Sequence, residues 1–253
     1  RHWNLPRPSY FNQGVLLSMD VEEGALRYAL NAVTAHHDML RGVYRDGQLT
    51  ILPYREDSHF ELRSFTVPAD ADSAKWIADT CSRIQSTMDL ENGPLIKACI
   101  FRVGREVQVM LAVHHLLIDS VSWHILLEDL QKAVEGYGSD KGLELPLKTA
   151  SFQQWAEALE EYAHSSASEK EIPYWNSVSR SIWDSKLLLK GNGTGEGKSV
   201  QIALTPTETE QLLTEACNTY HTQINDLLLA ALALAVREYT GQGQIAICME
   251  GHG

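Results

Sequence analysis

Hydrophobic and polar positions follow two rhythms along this chain, a period of two that marks strands and a spacing of three to four that marks helices. Residues 11–17 read as a strand, after which Val21, Ala25, Ala29, Leu30 and Val33 recur at helical spacing. Residues 41–46 and 48–54 are two short strands around Asp46-Gly47, a two-residue hairpin signal. Residues 59–66 predict a further strand, and Ala74, Ile77, Cys81, Ile84 and Met88 an amphipathic helix. Residues 95–103 and 106–115 predict a hairpin about Gly104-Arg105. In its second arm Val107, Val109, Leu111, Val113 and His115 share one face, because strand side chains alternate. From Ser120 onward Ile125, Leu126, Asp129, Leu130, Ala133 and Val134 describe a third helix, and residues 152–164 a fourth.

Four glycines in the seven residues 191–197 mark a linker. It lacks the glycine spacing of a phosphate loop, since Asn192 stands five positions before Gly197. Residues 199–204 are strand-like, and Thr205-Pro206-Thr207-Glu208 is a capping box with proline at the first helical position. The following helix, 224–239, is apolar on nearly every face and is expected to be buried. Residues 244–249 predict a last strand, which runs into Glu250-Gly251-His252-Gly253. The mixture of strands and helices predicts a layered α+β or α/β fold.

Composition narrows the function. A net charge of −12 disfavours a nucleic-acid backbone as partner. No window approaches the ~18 apolar residues of a membrane span. Cys81, Cys99, Cys217 and Cys248 are scattered without a CxxC pair, against a disulfide framework or zinc site and in keeping with a reducing, cytoplasmic setting. The first residue is not methionine, and the expectation is a piece excised from a longer polypeptide.

The candidate chemistry centres on His114-His115-Leu116-Leu117-Ile118-Asp119. Adjacent residues of a strand point to opposite faces, so one histidine should reach a cavity while the other packs or hydrogen-bonds internally. The place where a strand yields to a loop and helix favours projection into a cleft, and an imidazole can exchange a proton near neutral pH. Asp119 suits the cap of the helix beginning at Ser120, with Ser122 sharing that work; an ion pair with Arg41 is the alternative. Glu250 is either a general base at a strand end or a solvated turn residue, and His252 presents the same choice. His36-His37-Asp38 looks like a metal cluster, but it ends a helix whose dipole suits histidine.

Residues 114–123, HHLLIDSVSW, resemble the HHxxxDxxS motif of the condensation-domain superfamily of nonribosomal peptide synthetases. Residues 11–17, FNQGVLL, look like that superfamily's first strand, and His37-Asp38-Met39-Leu40-Arg41 is similar to its RHExLR segment. Val121-Ser122-Trp123, Asn225-Asp226-Leu227-Leu228-Leu229 and Glu250-Gly251-His252-Gly253 resemble motifs of its epimerization branch. Ser120 departs from the commonest glycine, and His124 from a frequent arginine. The resemblance implies a chloramphenicol-acetyltransferase-like lobe at 1–180, a flexible linker at 181–198 and the start of a second lobe at 199–253. It also implies epimerization of an aminoacyl or peptidyl thioester carried on the 4′-phosphopantetheine arm of a peptidyl carrier protein, beside neighbouring synthetase domains. His115 and Glu250 would transfer protons on opposite faces of the α-carbon, with His114, Asp119, Ser122, Trp123 and Arg41 in support. Backbone N–H groups after Asp119 would stabilise the enolate oxygen. No cofactor of the domain's own and no metal is implied. A condensation domain forming peptide bonds, and a silent fragment that only docks carriers, are the competing expectations.

Overall fold

The computed structural model describes residues 7–139, 143–184, 200–247 and 249, and groups them into two compact units that divide at Ala158/Leu159. The first unit is built on a four-stranded sheet. Its strands are β1 (Asn12–Ser18), β4 (Glu61–Thr66), β5 (Ile96–Val103) and β6 (Glu106–His114), in the order β1-β6-β5-β4. β6 runs antiparallel to both β1 and β5, and β4 lies parallel to β5. The hairpin between β5 and β6 turns at Gly104, whose φ of +59° lies in the left-handed region that favours glycine. A separate ribbon joins β2 (Gly42–Arg45) to β3 (Gln48–Ile51), with Asp46 and Gly47 both at positive φ, as a primed hairpin turn requires.

Helices cover this sheet. They are α1 (Glu23–His36), α2 (Ser73–Gln85) and α3 (Ser120–Gly136); α4 (Phe152–Ala163), within which the division between the units falls, buries no residue. Six consecutive residues of β6, Val109 to His114, are buried, as are Ile96 to Phe101 of β5. Neighbours along a strand point to opposite sides, so both faces of these central strands are covered. α2 lies on one face, where Trp76 packs edge-on against Phe101. The mutually packed α1 and α3 add Leu26, Leu30, Leu126 and Leu130 to the same core. Cys99 belongs to this core, and burial pushes its thiol up to about 12, the behaviour of a small hydrophobe rather than a nucleophile. One buried cation is balanced locally: Lys97 Nζ lies 2.5 Å from a Glu61 carboxylate oxygen, across the β4–β5 register.

The second unit is helical in its described residues. α5 (Ser166–Asp184), which the hydrophobic pattern did not announce, carries Pro173 inside it. The expected capping box is present at α6 (Pro206–Gln211), where Thr205 and Glu208 bond each other's backbone N–H. α6 passes through a single π-turn into α7 (Cys217–Tyr220), and α8 spans Ile224–Thr240. Three expectations need correction. Residues 200–204 and 244–247 form no strand, since no neighbouring strand among the described residues offers them a ladder. α8 is not buried: Leu228, Leu232 and Leu234 are each about half exposed, because the described residues of this unit supply no sheet to cover an all-round apolar helix. The glycine-rich segment at 191–197 lies outside the described residues. No described helix is long and apolar enough to cross a membrane.

Candidate active site

The end of β6 separates the two histidines as the alternation of strand side chains requires. His114 is the last residue of β6 and is fully buried. Its Nε2 lies 2.9 Å from the Pro8 carbonyl, which can only accept, so Nε2 carries the hydrogen. Nδ1 then accepts from the Leu116 N–H at 3.2 Å. Burial pushes the His114 pKa below the usual imidazole value; the Pro8 carbonyl opposes that shift and the neighbouring His115 adds to it. His114 is therefore a neutral strut that ties the segment before β1 to the loop after β6.

His115 is only half-buried. Its backbone N–H extends the sheet by bonding the Phe11 carbonyl at 2.9 Å, and its ring stacks on Phe11 with centroids 4.9 Å apart. Nδ1 sits 2.7 Å from the Ile118 carbonyl and so bears the ring hydrogen. Nε2 is then the basic nitrogen, a pinned tautomer of the kind a proton-transfer histidine needs. The Gln13 side-chain nitrogen lies 3.4 Å from this Nε2. Gln13 Oε1 in turn accepts the Trp123 indole N–H at 2.8 Å.

The supporting motif divides by task. Asp119 caps α3, its carboxylate accepting the Ser122 N–H at 2.7 Å while its carbonyl takes the Trp123 N–H. Ser122 thus contributes its backbone to the cap, and Trp123, buried on the first turn of α3, contributes its indole to the site. Arg41 does not pair with Asp119. It binds Asp38 at 2.8 Å and donates to the carbonyls of Thr34 and Leu52, closing the end of α1 against the residue after β3. A carbonyl cluster at a helix C-terminus is the better site for a guanidinium. Glu250 and His252 lie outside the described residues. Gln13, Phe11 and the Ile118 carbonyl were not singled out from sequence. The usable signal for Gln13 was its parity, since it pairs with Val113 and so shares the face that leads to His115.

His36 and His37 gather with Asp129 rather than Asp38, with possible ligand atoms within 4.8 Å of one another. Asp38 is committed to Arg41 and Lys148. His37 Nε2 already bonds the buried Asp129 carboxylate at 2.9 Å, and Lys132 stands 3.6 Å from its other oxygen. A carboxylate so compensated is satisfied by a histidine and a lysine from the protein itself.

Comparison with known proteins bears on the family and the fold. The family model described as the condensation domain matches residues 2–253. Surfactin synthase subunit 1 of Bacillus subtilis is 36% identical over 99% of this chain, and tyrocidine synthase 1 of Brevibacillus parabrevis 36% identical over 100%. The chain spans only 7% and 23% of those relatives' lengths. The crystal structure of the epimerization domain from the third module of tyrocidine synthetase B is 34% identical with a TM-score of 0.82, over 92% of this chain and 54% of that one. The first condensation domain of the calcium-dependent antibiotic synthetase, at 19% identity and a TM-score of 0.70 over 94% of this chain and 58% of that one, shares the fold. The architecture is the chloramphenicol-acetyltransferase-like α/β fold. With its histidine motif at a strand end and its match along nearly the full length, the chain belongs to the condensation-domain family of nonribosomal peptide synthetases.

Proposed function

We propose that this domain epimerizes the α-carbon of an aminoacyl or peptidyl thioester held on the 4′-phosphopantetheine arm of a peptidyl carrier protein. The observation that carries this reading is the contrast between 34% identity to an epimerization domain and 19% to a condensation domain of the same fold. The pinned Nε2 of His115 supports it, because removing an α-proton needs a base of fixed orientation. A thioester acidifies its α-proton, so the chemistry asks for two proton-transfer groups and no cofactor of the domain's own. His115 serves one face of the planar enolate, and Glu250 is proposed for the other. Residues 1–180 are proposed as the first lobe, 181–198 as the linker and 199–253 as the start of the second lobe. The partners are the carrier protein and neighbouring synthetase domains, in the cytoplasm.

The test loads the carrier with L-aminoacyl groups in deuterated water, adds the intact domain, and analyses the released amino acid. D-product with deuterium at Cα is expected. His115→Ala and Glu250→Gln should each lower that exchange by at least about 10²-fold. Peptide-bond formation without α-exchange would instead establish the condensation reading. A loaded carrier that binds but neither exchanges nor condenses would leave only the docking role.

A further inference from the structure

Enolate chemistry needs a donor for the thioester oxygen as well as a base for the α-proton, because the electrons of the broken C–H bond accumulate on that oxygen. The start of α3 was the expected source of that donor. There Asp119 takes the N–H groups of Ser122 and Trp123, which narrows the backbone candidates to those of Ser120 and Val121. Gln13 stands beside His115 with a different geometry. The Trp123 indole can only donate, so Gln13 must turn its oxygen to the indole, and the 2.8 Å contact fixes which end of the amide faces His115. The NH₂ end is the one left 3.4 Å from the basic nitrogen. Flipping the amide would set two donors against each other. The orientation is therefore fixed before any substrate arrives, which is what an oxyanion donor requires.

The distances suit an α-proton abstraction. A thioester carbonyl oxygen lies ~2.4 Å from the α-carbon, from standard bond lengths and a trigonal angle. A base in attack position stands about 3–3.5 Å from the reacting carbon, and an oxyanion donor about 2.7–3.1 Å from the oxygen. Three edges of these lengths admit any base-to-donor separation up to about 9 Å, and the observed 3.4 Å lies within that range.

Resting on the epimerization reading, we propose that the Gln13 carboxamide, clamped by Trp123, is the hydrogen-bond donor to the thioester oxygen while His115 exchanges the α-proton. In the forward step the C–H bond breaks, the proton passes to His115 Nε2, and the electron pair becomes the enolate whose oxygen Gln13 holds. Reprotonation from the opposite face returns the electron pair to the α-carbon and restores the carbonyl. The same donor serves when His115 is the group returning the proton, since both directions pass through one enolate. Trp123 acts through Gln13 and is a positioning residue.

The intact domain, with its carrier loaded in turn with each proteinogenic L-aminoacyl group and with dipeptidyl groups ending in each, is assayed for α-deuterium exchange in deuterated water. The panel comprises the wild type, Gln13→Glu, Gln13→Leu, Trp123→Phe and the Gln13→Leu/Trp123→Phe double variant. Gln13→Glu keeps an acceptor for the indole and removes the donor, so kcat should fall about 10²–10³-fold with KM little changed. Trp123→Phe frees the amide to rotate and should lower kcat about tenfold, and the double variant should be no slower than Gln13→Leu alone. Should Gln13→Leu fail to fold, Gln13→Glu and Trp123→Phe still decide the matter. Exchange in the wild type with an unchanged kcat in Gln13→Glu overturns the proposal and leaves the epimerization reading intact. Additive losses in the double variant overturn the clamp. Absence of exchange from the wild type with every loaded carrier removes the epimerization reading and this proposal with it.

Discussion

His114 and His115 should fail differently when replaced, and His114 is the more informative of the two. Its ring is fully buried and holds two backbone groups, the Pro8 carbonyl at 2.9 Å and the Leu116 N–H at 3.2 Å. His114→Ala strands both partners, each at a cost of about 1–3 kcal/mol, and leaves a void among packed neighbours. A loss of about 3–5 kcal/mol is expected, a large part of the roughly 5–15 kcal/mol that holds a typical domain folded. Urea unfolding should show a lower midpoint with an unchanged slope. His114→Gln, whose amide can still donate to the Pro8 carbonyl, should recover part of the loss. Acid adds a second signature. Burial lowers the pKa of His114 in the folded chain, whereas the unfolded chain titrates near 6.5. Below about pH 6.5 the unfolded state therefore binds the extra proton, and stability falls as pH falls, by at most about 1.4 kcal/mol per pH unit until the folded group also titrates. His59, lowered chiefly by its own burial, contributes in the same direction, so the comparison must be between the wild type and His114→Gln. A flatter stability profile below pH 6.5 is expected in the variant. The reasoning fails if His114→Ala costs less than 1 kcal/mol, or if it unfolds normally while abolishing α-exchange.

Two further changes probe the loop that carries His115. A Cβ at Gly42 would come within 2.5 Å of the Leu117 side chain and 3.1 Å of the Met39 carbonyl, so Gly42→Ala should cost about 1–3 kcal/mol by urea unfolding and lower exchange through the displaced loop. Asp119→Ala removes the cap of α3 and should cost about 1 kcal/mol, whereas Asp119→Asn, which still accepts from Ser122, should retain most of the stability by thermal melting.

The first unit was legible because its local signals and tertiary demands coincide. Both hairpins turn where Asp46-Gly47 and Gly104 announced them, and the apolar stretches of β5 and β6 lie between covering helices. α8 shows the limit of such reasoning. Ten apolar residues in a row state that a helix wants burial, but not which surface provides it, and the described residues of its unit present Leu228 and Leu232 half exposed. Arg41 shows another limit. A cation and an anion in one motif suggest a pair, yet a guanidinium with five donors is better satisfied by a carbonyl near the end of α1, the Leu52 carbonyl after β3 and the adjacent Asp38.

Strand parity separated His114 from His115 without deciding which of them works, since alternation assigns faces and not exposure. The decision comes from what each ring nitrogen meets. Both nitrogens of His114 are consumed by backbone, whereas among the described residues Nδ1 of His115 bonds a backbone carbonyl and its Nε2 faces the side chain of Gln13. That neighbour comes from β1, about a hundred positions earlier, and reaches the histidine only because β1 pairs with β6 in the register that sets Gln13 beside Val113. No pattern local to HHLLIDSVSW contains this contact. One of its ends is nevertheless written there: a tryptophan one turn into the helix after the aspartate supplies the indole hydrogen that orients Gln13. The motif thus extends beyond histidine and aspartate, with Asp119 setting the start of α3, α3 setting Trp123, and Trp123 setting the amide that faces the base.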